Sequence, residues 1–285
     1  MTLSKKHHII DAEKDIKRED MISKVFKDGI IFNEDCMKVM DGLIAKGVKV
    51  DMILCDLPFG TTASNWDKVL PAKELWKKYE ALISNTGSIV LFASGQFMPY
   101  LLSSNLPLFK YQWVWVKNNS TNFVHAKNRP MTKCEYILVF SKAPMGHASQ
   151  LGDKRMTYNP QGLIECNKTV KAGKGRFGTI AGERPSHKSE FVREYTNYPT
   201  DVLLDFPETP AGKKLHTNEK PVNLLEYLVK TYTNGGCLVM DNTMGVGSTC
   251  LACQNVHRRF IGIELEKKYY DIAIKRLEEN ENKII

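Results

Sequence analysis

Asp56-Leu57-Pro58-Phe59 places a carboxylate, a proline and a flat ring within four residues. Pro58 lacks a backbone N–H and stops a strand. What remains is a set of acceptors, the Asp56 carboxylate and the nearby carbonyls, beside the face of Phe59. Such acceptors can take the N–H bonds of a planar amine while the ring stacks on it. An acidic turn after a core strand is the plain alternative, and four residues alone do not separate the two.

A second group runs Asp241-Asn242-Thr243-Met244-Gly245-Val246-Gly247-Ser248-Thr249. Gly245 and Gly247 let the backbone approach a ligand closely. Ser248 and Thr249 are placed to cap a following helix and to present hydroxyls. Glu264 follows Gly245 by 19 residues and can accept hydrogen bonds from a ribose. The third glycine of a dinucleotide fingerprint is replaced by Cys250, and Asp241 offers a carboxylate to a cationic ligand. Both points favour S-adenosylmethionine over NAD. A structural strand-to-helix turn is the alternative here.

Strands must deliver both groups. Val50-Asp51-Met52-Ile53-Leu54-Cys55 is an apolar run that leads to Asp56, and Gly236-Cys237-Leu238-Val239-Met240 leads to Asp241. Further strand-like runs lie at 29–32, 88–93, 111–116, 135–140 and 260–263. Helical spacing is found from Met37 to Ile44, at 74–83, at 221–231 with Pro221 in the first turn, and at 268–279. Seven strands alternating with helices predict an α/β fold, a doubly wound and mostly parallel seven-stranded sheet. From Ser141 to about Leu215 the periodicity is lost, which predicts a small irregular insertion domain. The expected organisation is a charged tail over 1–22, one half of the core over 23–141, the insertion over 142–215, and a cofactor-binding half over 216–285.

With 285 residues, 42% hydrophobic and 25% charged, the chain suits a globular core plus an insertion. No apolar run has the length of a membrane helix, and the charged N-terminus lacks the apolar stretch of a signal peptide. Seven scattered cysteines read as reduced thiols, which predicts a cytoplasmic protein. Cys250 and Cys253 form a lone CxxC, better read as packing on a helix than as a metal site. The net charge is +8, and nine Lys/Arg face three Glu between Lys154 and Arg193. This surplus permits an anionic partner.

Taken together these motifs resemble the amino-methylating DNA methyltransferases of the N6-adenine/N4-cytosine family. Asp56-Leu57-Pro58-Phe59 is similar to the catalytic D/S-P-P-Y/F motif, and Thr243-Met244-Gly245-Val246-Gly247 to the F-x-G-x-G cofactor loop. Their order resembles the beta group, as does His216-Thr217-Asn218-Glu219-Lys220-Pro221. Asn33-Glu34-Asp35-Cys36, Arg129-Pro130 and Glu135–Phe140 also look like family sequence. Leu57 and Thr243 depart from the usual proline and aromatic. The resemblance spans roughly 29–141 and 216–280.

It implies a methyltransferase fold and transfer of a methyl group from S-adenosylmethionine to a base rotated out of duplex DNA. Phe59 would stack on that base after the Pro58 turn, and Asp56 and the Leu57 carbonyl would accept its amine hydrogens. Asp35, Cys36, Lys220, Asp241, Asn242, Thr243, Gly245, Gly247, Ser248, Thr249 and Glu264 would surround the cofactor. Trp66, Asn122, Lys154, Arg155, Lys171, Lys174 and Arg176 are the candidate DNA contacts, and the insertion is the target-recognition region. Asp at the first motif position favours adenine by family analogy. N4-cytosine methylation and a silent DNA-binding relative are the alternatives. A monomer or homodimer, with room for a cognate restriction endonuclease, completes what the family implies.

Overall fold

The computed structural model describes residues 21–60, 68–171, 190–210, 212, 214–216 and 218–284. Its strands are β1 (Ile22–Phe26), β2 (Gly29–Asn33), β3 (Val50–Cys55), β4 (Ile83–Ala93), β5 (Phe109–Thr121), β6 (Thr132–Phe140), β7 (Ile164–Lys171), β8 (Glu190–Thr196), β9 (Val202–Leu203), β10 (Leu238–Asp241) and β11 (Arg259–Glu264). The main helices are α1 (Cys36–Ala45), α2 (Ala72–Leu82), α3 (Phe97–Ser104), α4 (Val222–Tyr232), α5 (Ser248–Asn255) and α6 (Lys267–Ile284).

Among the described residues nine strands form one sheet, in the order β1-β2-β11-β10-β3-β4-β6-β5-β9. The stretch β2-β11-β10-β3-β4 is parallel throughout. β6 is antiparallel to both of its neighbours, β4 and β5. All seven expected strands are present, and two more extend the edges. Ile22, expected in a tail, opens β1 against β2. β9 adds to β5 from within the expected insertion. Its two residues are too short to show an alternating pattern.

Alternation along the central strands divides the core in two. Met52, Leu54, Val90 and Phe92 pack with α4, α5 and α6 residues such as Leu228, Cys250 and Ala273. Ile53, Cys55, Ile89 and Leu91 pack on the opposite face with Met40, Leu75 and Tyr79 of α1 and α2. Period-two side chains on a strand covered on both faces produce this pattern. Cys250 and Cys253 are both buried on α5.

Pro160–Thr200 forms a second compact unit. It is narrower than the expected 142–215 because both flanks belong to the first unit: Met156 and Leu203 are buried in its core. Nor is it wholly irregular, since β7 and β8 pair as an antiparallel hairpin. Of the expected DNA contacts, Trp66, Lys174 and Arg176 lie outside the described residues.

Candidate functional site

β3 and β10 are parallel neighbours at the centre of the sheet, so their carboxyl ends emerge side by side. Chain connections diverge there, which is where open α/β sheets bind ligands. Thr243 Oγ1 donates to the Asp56 carbonyl at 3.1 Å and ties the two loops together. A cavity of about 720 Å³ opens over them. Asp56, Leu57, Pro58 and Phe59 line one part; Asp35, Cys36, Asp241, Asn242, Thr243, Gly245, Ser248, Thr249 and Glu264 line another.

Asp56 is held by an ion pair. Lys220 Nζ donates to its Oδ2 at 2.6 Å and stands 3.5 Å from Glu135 Oε2. Lys117 Nζ pairs with Glu135 Oε1 at 2.9 Å and reaches Glu208 at 3.5 Å. Lys220 also lies over the Phe92 ring, 5.0 Å from its centroid. Asp56 Oδ1 has no hydrogen-bond partner among the described residues. Burial raises the Asp56 pKa, and Lys220 opposes that rise. The two lysines hold the Glu135 pKa below its ordinary value despite burial, and the Lys220 pKa is raised by its carboxylate neighbours against the effect of burial. Lys220, expected at the cofactor, therefore has its ammonium committed to the Asp56 side of the cavity. Phe59 stacks on Phe97, with centroids 4.6 Å apart and planes inclined by 22°.

At the other end, Glu264 accepts from the backbone N–H of Gly245 at 2.9 Å and of Glu266 at 2.8 Å. Asp241 accepts from Thr243 N at 3.0 Å, and burial pushes its pKa up to about 7, with the Thr249 hydroxyl opposing the rise. Asn242 Oδ1 takes hydrogen bonds from Tyr79 OH at 2.6 Å and the Cys55 thiol at 2.9 Å. Its Nδ2 has no partner in hydrogen-bond geometry among the described residues. Asp35 caps α1, accepting from Met37 N at 2.8 Å and Lys38 N at 3.2 Å. Burial raises the Cys36 thiol to about 11, so the thiol stays neutral at pH 7.

The two loop glycines differ. Gly245 has φ +54°, and a Cβ added there would meet nothing within 4 Å. Gly247 has φ +77°, and its Cβ would come within 3.1 Å of Ala273 Cβ on α6. Gly247 thus packs closely against α6, and the cavity is lined by Gly245, Val246 and Ser248 beside it. Ser248 does not cap α5 either. Its hydroxyl donates to Glu219 Oε1 at 3.1 Å and accepts from Arg276 at 2.9 Å, while Arg276 pairs with Glu219 at 2.7 Å.

Asn122 adopts the left-handed conformation at the end of β5 and lines the cavity. Lys154 and Arg155 are exposed but sit elsewhere. Thr157 N bonds to Thr86 O and Asn159 N to Thr231 O, which fixes this segment near the amino ends of β4 and β10, opposite Asp56. Lys171 is exposed on β7. Sequence reasoning missed the roles of Glu135, Lys117, Phe92 and Tyr79. An acid opening the otherwise apolar run 135–140 was the one available signal.

The DNA methylase family model matches residues 50–275. The Type II methyltransferase M1.MboII of Moraxella bovis is 26% identical over 261 residues, covering 85% of this chain and 94% of its own. The solved M1.HpyAVI-SAM complex is similar with a TM-score of 0.53 at 24% identity, over 86% of this chain and 97% of that one. The PvuII DNA methyltransferase, titled cytosine-N4-specific, reaches a TM-score of 0.57 at 13% identity, over 91% and 93%. At these identities the two structures speak to the fold.

Proposed function

Since the chain belongs to the DNA methylase family, we propose that it methylates the exocyclic N6 amine of adenine in duplex DNA, with S-adenosylmethionine as donor. The observation that carries this reading is the Asp56 carboxylate, one oxygen fixed by Lys220 and the other without a partner, in a cavity it shares with Phe59. Buried acceptors are nearly always paired, so an open one invites a donor. Rotation about the soft terminal torsion of Asp can turn either oxygen to the cavity.

Residues at the Asp241 end suit the donor. Each Glu264 oxygen carries one backbone N–H and retains a lone pair for a ribose hydroxyl. Asp241, with its pKa near 7, gains from any neighbouring cation. When bound, S-adenosylmethionine supplies an electrophilic methyl group on sulfur.

This chain's own contribution is to make an aromatic amine nucleophilic. Its lone pair is delocalised into the base. Asp56 and the Leu57 carbonyl accept the two N–H bonds and favour the pyramidal form in which that pair is localised. Phe59, backed by Phe97, offers its open face to the base. Asp56 then takes the proton that the methylated nitrogen releases. The base is extruded from the duplex at a cost of a few kcal/mol, offset by stacking and edge contacts. Exposed Lys168, Lys171 and Arg193 on the β7–β8 hairpin suit phosphate contacts, which fits that unit for target recognition.

N4-cytosine methylation is the second reading, because the matching family takes in both N6 and N4 methylases. Mass spectrometry of nucleosides from unmethylated duplex DNA incubated with protein and S-adenosylmethionine tests both. N6-methyladenine is expected. N4-methylcytosine would move the target base, and no modified base with cofactor bound would overturn the enzymatic reading.

A further inference from the structure

The turn Phe123–His125 joins β5 to β6 beside the cavity. Resting on the reading of the protein as a DNA methylase that extrudes its target base, we propose that this turn is the wedge that enters the duplex and fills the space the base leaves. Val124 and Phe123 are 89% and 79% exposed, the two most exposed large hydrophobic side chains among the described residues. Single exposed apolar groups are ordinary, but two adjacent ones at a hairpin tip suggest a surface made for contact.

The tip is held in shape. Asn122 takes φ +66° and donates from Nδ2 to Thr132 Oγ1 at 2.9 Å, across the base of the turn. Ala126 N donates to Phe123 O at 3.0 Å, and Arg129 N to His125 O at 3.0 Å. A side chain presented on a fixed turn can be driven between bases with less ordering cost than one on a loose loop.

Charge points to nucleic acid as the occupant. From 118 to 134 there is no Asp or Glu, while Lys127, Arg129, Lys133 and His125 flank the apolar pair. Cations around an apolar tip match phosphates around a base step, and inserted Phe, Leu or Ile groups unstack such steps in other DNA-binding proteins. Position completes the case. Thr121 and Asn122, just before the turn, line the same cavity as Asp56. A wedge there would stand next to the base it displaces.

The test uses the whole protein, after the methylated site has been mapped in unmethylated plasmid DNA. Wild type, the double variant Phe123→Ala/Val124→Ala and Phe123→Trp are compared on a duplex with the target base paired and on one with it mispaired. Extrusion costs least for a mispaired base. The double variant should lose about tenfold or more in methyl transfer on the paired duplex, recover most of it on the mispaired one, and bind S-adenosylmethionine as wild type does. Phe123→Trp should retain activity. A double variant as active as wild type on the paired target would overturn the wedge and leave the methylase reading intact. Equal losses on both duplexes would also overturn it and point to a general contact, such as a protein or backbone surface. A wild type that methylates no DNA would remove the methylase reading, and the wedge with it.

Discussion

Lys220 Nζ lies 2.6 Å from Asp56 Oδ2, 164 residues away in sequence, and leaves the second oxygen of that carboxylate without a partner among the described residues. The ion pair does two things. It opposes the rise in pKa that burial imposes on the Asp56 carboxylate and so favours its charged form. It also engages only one oxygen, so the carboxylate keeps acceptor capacity that rotation about its terminal torsion can turn toward an incoming N–H. Glu135 and Lys117 extend the pairing to β6 and β5, which anchors the reacting end of β3 to the antiparallel half of the sheet.

Asp56→Ala removes the acceptor and leaves the Asp241–Glu264 end untouched. Methyl transfer should fall by about 10²–10³-fold or more, the usual effect of losing a group aimed at the transition state. S-adenosylmethionine affinity, read by calorimetry, should stay within about threefold. A variant that no longer binds the cofactor would assign Asp56 to binding instead.

Lys220→Met tests the ion pair itself. Asp56 has its pKa raised mainly by burial, and Lys220 is the largest opposing influence. With the cation gone the Asp56 pKa rises further. The reacting form is the carboxylate, which is lost as pH falls through that pKa. The acid limb of the rate profile should therefore move to higher pH. Breaking a buried pair also costs about 3–5 kcal/mol, since Asp56 would lose its ion-pair partner beside Glu135, which would keep only Lys117. Lys220's own raised pKa contributes stability that is complete below its ordinary value of 10.5 and lost only as pH rises through its higher folded value. The loss of stability in the variant should thus be nearly flat from pH 6 to 9 as far as Lys220 is concerned. An unmoved acid limb would sever Lys220 from Asp56.

Glu219→Ala strands the Arg276 guanidinium beside Ser248 and frees the segment before α4 from α5 and α6. Glu219 Oε2 also accepts from Leu215 N at 3.0 Å. A destabilisation of about 3 kcal/mol is expected for removing one member of a largely buried pair. That corresponds to roughly 5–10 °C in the thermal midpoint for a chain of this size. Glu219→Ala/Arg276→Ala should recover part of the loss, because the stranded charge is gone. A double variant less stable than the sum of the singles would refute the pairing.

Much of the site can be read from the chain because its polar groups sit at strand ends. Asp56, Asp241 and Glu264 each follow an apolar run, and parallel strands bring such ends together. What stayed hidden depends on distance in sequence. Nothing near Glu135 tells that Lys117 and Lys220 will enclose it, and nothing near Lys154 and Arg155 tells which end of the sheet will hold them. Gly245 and Gly247 look alike in the loop and share positive φ. Only the position of Ala273 shows that one opens to the cavity and the other to a helix. β1 and β9 are edge strands, too exposed or too short for a strong alternating pattern.

Asp241 gives the cofactor end a pH signature. Its pKa of about 7, against an ordinary 3.8, arises from burial. A folded-state pKa raised in this way adds stability that is complete below 3.8 and lost as pH rises through 7, so the empty protein should lose stability between about pH 4 and 7 on this account. Cofactor binding should show the opposite trend. A cationic ligand favours ionised Asp241, and below its pKa that ionisation must accompany binding. Affinity for S-adenosylmethionine should weaken by about tenfold from pH 8 to 6, with proton release detectable as a buffer-dependent binding enthalpy. Asp241→Asn should bind more weakly at pH 8 and show little of this dependence. Equal slopes in wild type and variant would mean that the cofactor's cationic groups do not sense Asp241.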